Sequence, residues 1–195
     1  MQEFINNFIE NIQYLESTSP QIISILLGMS VIVLESVIPI LPLALFIALN
    51  MLLFGHLQGF IMSWLATCIG CLISFSIVRY GLKKPFNISE EEDKTINKIM
   101  KKINKISLPN LVLIISLPFM PAFLLNIAAG LSKISYKKFI FAILISKLVI
   151  VFFWGFIGTS LIESITDIKV LLELFILMGL AYIISKILMK KLKID

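Results

Sequence analysis

The sequence predicts an all-α polytopic membrane protein, arranged as an inverted repeat with two opposed re-entrant helical hairpins plus about four spanning helices. Three observations predict it. Of 195 residues, 58% are hydrophobic and 15% charged, and mean hydropathy is +0.99, where soluble domains are about 45–50% apolar. Two Pro-x-x-Pro breaks, Pro39-Ile40-Leu41-Pro42 and Pro118-Phe119-Met120-Pro121, interrupt apolar stretches. Proline removes a backbone donor and clashes with the preceding turn, so each pair stops a helix. Lipid cannot satisfy the freed backbone groups, so such breaks must face protein or a polar cavity. Finally, Lys and Arg are absent from residues 1–78 and cluster afterwards beside apolar spans. That pattern sets membrane orientation and argues against nucleic-acid binding, despite the net charge of +5.

Residues 1–19 form the first element. Phe4, Ile5, Phe8, Ile9, Ile12 and Leu15 recur at helical spacing among polar residues, as in a helix lying in the membrane interface. No basic n-region precedes them, so no cleaved signal is expected. One membrane domain, 20–190, follows, with a first half at 20–82, a cytoplasmic amphipathic loop at 83–107, a second half at 108–160 and a C-terminal helix at 168–190.

In the first half, Ile22 to Leu34 would cross, Glu35 to Phe54 would form a hairpin around its Pro pair, and Gly59 to Val78 would deliver Arg79 to the cytoplasm. In the loop, Ser89 followed by Glu90, Glu91 and Glu92, then Ile96, Ile99, Ile103 and Ile106, reads as a capped surface helix with lysines in its last turn. In the second half, Leu108 to Leu131 lies between Lys105 and Lys133, both inside by the charge rule, so it enters and leaves on one face. Its arms would each reach about 14 Å, roughly half the hydrocarbon thickness. The alternative, a single kinked span, would place seven basic residues outside: Lys133, Lys137, Lys138, Lys186, Lys190, Lys191 and Lys193. Phe139 to Ile157 and Val170 to Ile184 then cross, leaving the C-terminus cytoplasmic. Gly55 and Gly130 echo each other after the two breaks, as do Asn50 and Asn126.

Within these spans a few residues carry chemistry. Glu35 approaches the first Pro pair, and a charge at membrane depth costs at least about 2.5 kcal/mol, so it reads as a cation partner or proton site; the alternative is hydration at the outer interface. Lys147 lies near the middle of its span, with about 15 Å of helix on either side, which makes snorkelling difficult. It should face the bundle interior, as a ligand contact or in a structural ion pair. By spacing alone Arg79 anchors the interface with Tyr80. Asn126 would cap or satisfy broken backbone, ahead of a half-helix ending at Gly130. The candidate substrate- or proton-binding set is thus Glu35, Arg79, Lys147 and Asn126, and the structural set is Pro39, Pro42, Pro118, Pro121, Gly55 and Gly130. Cys68, Cys71 and the lone His56 make a poor metal set, and no cofactor is expected. Without paired acids, a Ser with a nearby base or a Gly-rich loop, enzymatic chemistry is not expected either.

Residues 31–160 resemble the DedA superfamily, also called VTT or SNARE-associated domain proteins. The resemblance rests on Glu35-Ser36-Val37-Ile38-Pro39 through Pro42, on Phe54-Gly55-His56, on Arg79-Tyr80-Gly81, and on Leu117-Pro118 through Pro121 with Asn126, Gly130 and Ser135-Tyr136-Lys137-Lys138-Phe139. It implies opposed hairpins and lipid transport between leaflets of the plasma membrane. Bacterial members are associated with recycling of undecaprenyl phosphate or other phospholipids and with the proton-motive force, and eukaryotic relatives behave as scramblases. Glu35 would match the family's acid and Arg79 its base. Many members carry an Arg just before the second Pro pair, where this chain has Ile114-Ile115-Ser116-Leu117. Lys147 or Lys133 would have to supply that cation. Membrane lipids are the expected partners, and homo-oligomerisation is left open. A small-solute or ion transporter and a non-transporting scaffold are the competing readings.

Overall fold

A computed structural model describes residues 21–38, 42–81, 90–163 and 167–191. The interfacial helix expected at 1–19, the cap at Ser89, Lys83, Lys84, Lys193 and the first proline, Pro39, lie outside these residues. The described chain is helical: α1 Gln21–Val37, α2 Leu43–Phe54, α3 His56–Ser76 continuing into a π-turn Ile77–Gly81, α4 Glu90–Ile103, α5 Leu108–Ile115, α6 Ala122–Leu131, α7 Tyr136–Glu163 and α8 Ile168–Lys191. Three stretches are long and apolar enough to cross a bilayer: His56–Gly81, Tyr136–Ile162 and Ile168–Lys191. The fourth expected span is shorter. At 17 residues α1 reaches about 26 Å, just under the roughly 30 Å hydrocarbon core. It also runs past Leu34, so Glu35 sits on a helix one turn before the break rather than within it.

The second proline of each pair has the same local task. Pro42 starts α2 with φ −75° and ψ 98°, and Pro121 starts α6 with φ −60° and ψ 107°. At a helix start the missing N–H costs nothing and the ring presets φ. Gly55 reverses α2 into α3 with φ +83° and ψ 152°, a region essentially closed to residues with a Cβ. Gly130 does a different job from the one its spacing predicts. α6 continues through it to Leu131, and a Cβ there would lie 2.8 Å from the Val78 side chain and 3.0 Å from the Phe75 carbonyl oxygen. It is a close-approach glycine that lets α6 press onto α3, not a helix stop.

α3 is the spine. It packs on α1, α2, α6 and α7. α2 packs on α7, α5 on α7, and α4 on α6. Two apolar cores result. One joins Ile32, Ile47, Ala66 and Val151 from α1, α2, α3 and α7, and the other joins Phe75, Ile99, Leu111, Leu125 and Phe139 from α3 through α7. Trp64 borders both, and its indole N–H donates to the Leu144 carbonyl at 3.0 Å, locking α3 to α7. Phe75 stacks on Phe139 at 4.2 Å, further along the same contact. α8 is peripheral and mostly exposed to what would be lipid, but Tyr182 packs on Phe119 at the second break (5.5 Å between centroids), and Trp154 of α7 does so at 6.0 Å.

Candidate functional site

The two breaks open onto one cavity of about 440 Å³. Glu35 and Ser36 reach it from the end of α1, Pro42 and Leu43 from the first break, Pro118, Met120 and Pro121 from the second, Thr67 from α3, and Lys147 and Trp154 from α7. The helices place these groups by register. Glu35 is two residues from the end of α1, in its last turn, so its carboxyl emerges where the chain leaves the helix. Lys147 is only 2% exposed, and its long stem is sunk between packed helices with the ammonium as the remaining polar end. Thus the only acidic and the only basic side chains that line it among the described residues come from elements far apart in sequence. No hydrogen bond or ion pair within 4.0 Å holds either charge among the described residues. Opposite charges facing each other across a cavity, without closing on each other, leave room for a zwitterionic or anionic group between them.

The polar wall of the cavity extends into the core. Ser36 donates to Ile32 O at 2.9 Å, and Thr67 donates to Ser63 O at 2.6 Å. Ser63 in turn receives Asn50 Nδ2 at 3.2 Å. Asn50 of α2 therefore joins Ser63 and Thr67 of α3 in a buried polar ladder and ties the two helices together. The sequence marks Trp154 only as an interface or packing aromatic and does not mark Ser63 or Thr67 as site residues. The available signal was Ser63 and Thr67 at i and i+4, small polar residues aligned on one face of an apolar span.

Arg79 is elsewhere. Its Nε donates to Gly130 O at 2.7 Å, Nη2 to Ala129 O at 2.9 Å and Nη1 to Ile134 O at 3.1 Å, while the guanidinium lies 4.7 Å from the Phe75 ring centre. These carbonyls belong to the last turn of α6 and the segment after it, where the helix leaves acceptors unpaired and its dipole is negative. Arg79 is therefore a clamp on α6, a role its spacing does not predict, and it is not among the residues that line the cavity. Asn126 is buried in α6 with Nδ2 unpartnered, so it does not satisfy the broken backbone. Lys133 is exposed; its backbone N–H donates to Asn104 Oδ1 at 2.6 Å, and it does not reach the cavity. Of the two lysines weighed as the missing cation, Lys147 is the one brought to the breaks.

Residues 38–160 match the VTT domain, which is most of the described membrane bundle and includes both breaks, Arg79 and Lys147. The chain belongs to the VTT-domain (DedA) family. Among relatives, this VTT-domain protein is 33% identical over 156 residues to an uncharacterised membrane protein of Bacillus subtilis (strain 168), YhjE, covering 79% of the chain and 75% of the relative. It is 28% identical over 125 residues to YqeD, an uncharacterised protein of the same organism, covering 64% and 60%. No solved structure matches. Glu35 lies three residues ahead of the matched VTT region, yet shares its cavity with Lys147 from inside that region.

Proposed function

We propose that this membrane protein translocates or scrambles a phosphate-headed lipid, such as undecaprenyl phosphate or a phospholipid, between the leaflets of the plasma membrane. One observation carries the reading: Glu35 and Lys147 face a single cavity between two helix breaks. At about 440 Å³ the cavity has the size of a headgroup site, and acyl chains would stay in lipid. Lys147 would take the phosphate, while Glu35 would act as acidic gate or proton site, which makes proton coupling part of the proposal. Arg79 would act by holding α6 against α3, and the mechanism needs no covalent step, so the protein is read as a transporter and not an enzyme.

In this reading the breaks are the tips of two opposed re-entrant hairpins. Its support is local. α5 and α6 have 8 and 10 residues, about 12 and 15 Å, each roughly half a bilayer. The ends of the second break segment lie together: Lys133 N donates to Asn104 Oδ1, and Lys138 Nζ donates to Ile106 O. An exchange of α1, α2 and α3 with α5, α6 and α7 maps the α1–α3 contact onto α5–α7 and the α2–α7 contact onto α6–α3, in the manner of an inverted repeat, although the extensive α2–α3 contact has no comparable counterpart between α6 and α7. The lysine-rich end would be cytoplasmic by the charge rule.

The test is translocation of labelled undecaprenyl phosphate and of common phospholipids in proteoliposomes, with and without a pH gradient. Glu35→Ala and Lys147→Met are each expected to abolish transport with unchanged membrane levels. Normal flipping rates in both variants would overturn the proposal, as would flux of ions or small solutes with no lipid movement.

A further inference from the structure

A second cavity, of about 980 Å³, lies at the end of the bundle where α4, α5 and α8 meet. We propose that it binds the phosphate of an anionic lipid headgroup, at a site separate from the Glu35–Lys147 cavity. Lys101, Lys102 and Lys105 line it from α4 and the turn that follows, and Lys191 from the last turn of α8. No acidic side chain lines it among the described residues. Lysines brought together from two helices repel one another unless an anion sits between them.

Two oxygens at the pocket's rim that would repel a phosphate are already taken: Asn104 Oδ1 receives the Lys133 N–H, and the Ile106 carbonyl receives Lys138 Nζ. Ser107 and Asn110 face the pocket at the start of α5, where Pro109 has no N–H, the Leu108 and Asn110 N–H groups have no intrahelical acceptor, and the Ser107 side chain makes no cap bond. A helix N-terminus left uncapped beside lysines is a site for a phosphate oxygen.

The amphipathic helix is not free to lie in the bilayer instead. Ile96, Ile99 and Ile103 are 2%, 1% and 2% exposed, because that face is packed on α6. Burial of the apolar stripe holds the lysine face in a fixed position. Depth decides the source of the phosphate. α8 has 24 residues, about 36 Å, slightly more than the roughly 30 Å hydrocarbon core, so Lys191 in its last turn lies at headgroup level. α5 then leads about 12 Å from Ser107 and Asn110 to Ile115 at the other cavity. Delivery of the headgroup along α5 rests on the transport reading; binding at the pocket does not.

The test is native mass spectrometry of the full chain with short-chain phosphatidylglycerol, phosphatidylcholine or inorganic phosphate added. Phosphatidylglycerol should be retained in preference to phosphatidylcholine. The triple variant Lys101→Gln, Lys105→Gln, Lys191→Gln should lose at least about tenfold in that retention, while Lys169→Gln at the far end of α8 should not change it. Gln keeps helix propensity near that of Lys, and an unchanged thermal unfolding curve checks the fold. Displacement by inorganic phosphate would assign the site to phosphate in general, and resistance to it would assign the site to the lipid; either supports the proposal. Equal binding of phosphatidylcholine, or wild-type retention by the triple variant, overturns it. Glu35→Ala should bind phosphatidylglycerol normally, so failure here and failure of transport are separable.

Discussion

The two helix breaks are alike in backbone and unlike in charge. Pro42 and Pro121 start α2 and α6 with nearly the same dihedrals, and both border the same cavity. Yet the first break is approached by Glu35, whereas the second is approached by Ile115 and Leu117. The cation opposite Glu35 comes instead from Lys147, partway along α7. A repeated scaffold can therefore build an asymmetric site, because the breaks supply open backbone and space while neighbouring helices supply the charges.

The largest effect expected from breaking this asymmetry is on transport. If Glu35 and Lys147 act on one headgroup, exchanging the two charges in Glu35→Lys, Lys147→Glu should restore part of the lipid flipping that either single variant loses, read in proteoliposomes. No recovery in the exchanged pair would mean that the two charges act at separate sites. Next is Arg79→Ala, which removes three bonds to the end of α6 and should cost about 3 kcal/mol in unfolding from mild detergent. Arg79→Lys should recover only part, since an ammonium cannot reproduce the guanidinium fork. A smaller cost, about 2 kcal/mol, is expected for Gly130→Leu, which forces α6 off Val78 and the Phe75 carbonyl. Its counterpart after the first break, Gly55→Ala, meets nothing within 4 Å but carries the backbone strain of φ +83°, and should cost about 1 kcal/mol. If the two glycines respond in the reverse order, the distinction drawn between close approach and turn geometry fails. Of about the same size, about 1 kcal/mol, is Trp64→Phe, which loses the bond to Leu144 O, seen in the same unfolding assay.

Legibility in the sequence differed by residue. Glu35 and Lys147 stood out because a charge in an apolar span is costly wherever it points. Arg79 was visible as a basic residue at a helix end, but not as a clamp, because the carbonyls it binds lie in a turn some fifty positions later. Gly130 was read as a helix stop from its place after Asn126, since spacing carries no information about how closely Val78 approaches. Thr67 and Ser63 gave only the weak signal of small polar residues one turn apart. The lysines of α4 were legible as a charged face, and the pocket they share with Lys191 was not.

By itself the sequence determined that this is a membrane protein of helices, where two of those helices must stop, and which charges are too costly to be idle. Each of these follows from properties of a residue and its near neighbours: apolar content, the missing N–H of proline and the cost of a charge in lipid. Only the tertiary structure decided that Glu35 meets Lys147, that Arg79 is spent on α6, and that the lysines of α4 converge with Lys191. Those outcomes depend on which faces of distant helices pack together, and that is set by the fit of side chains across the whole bundle.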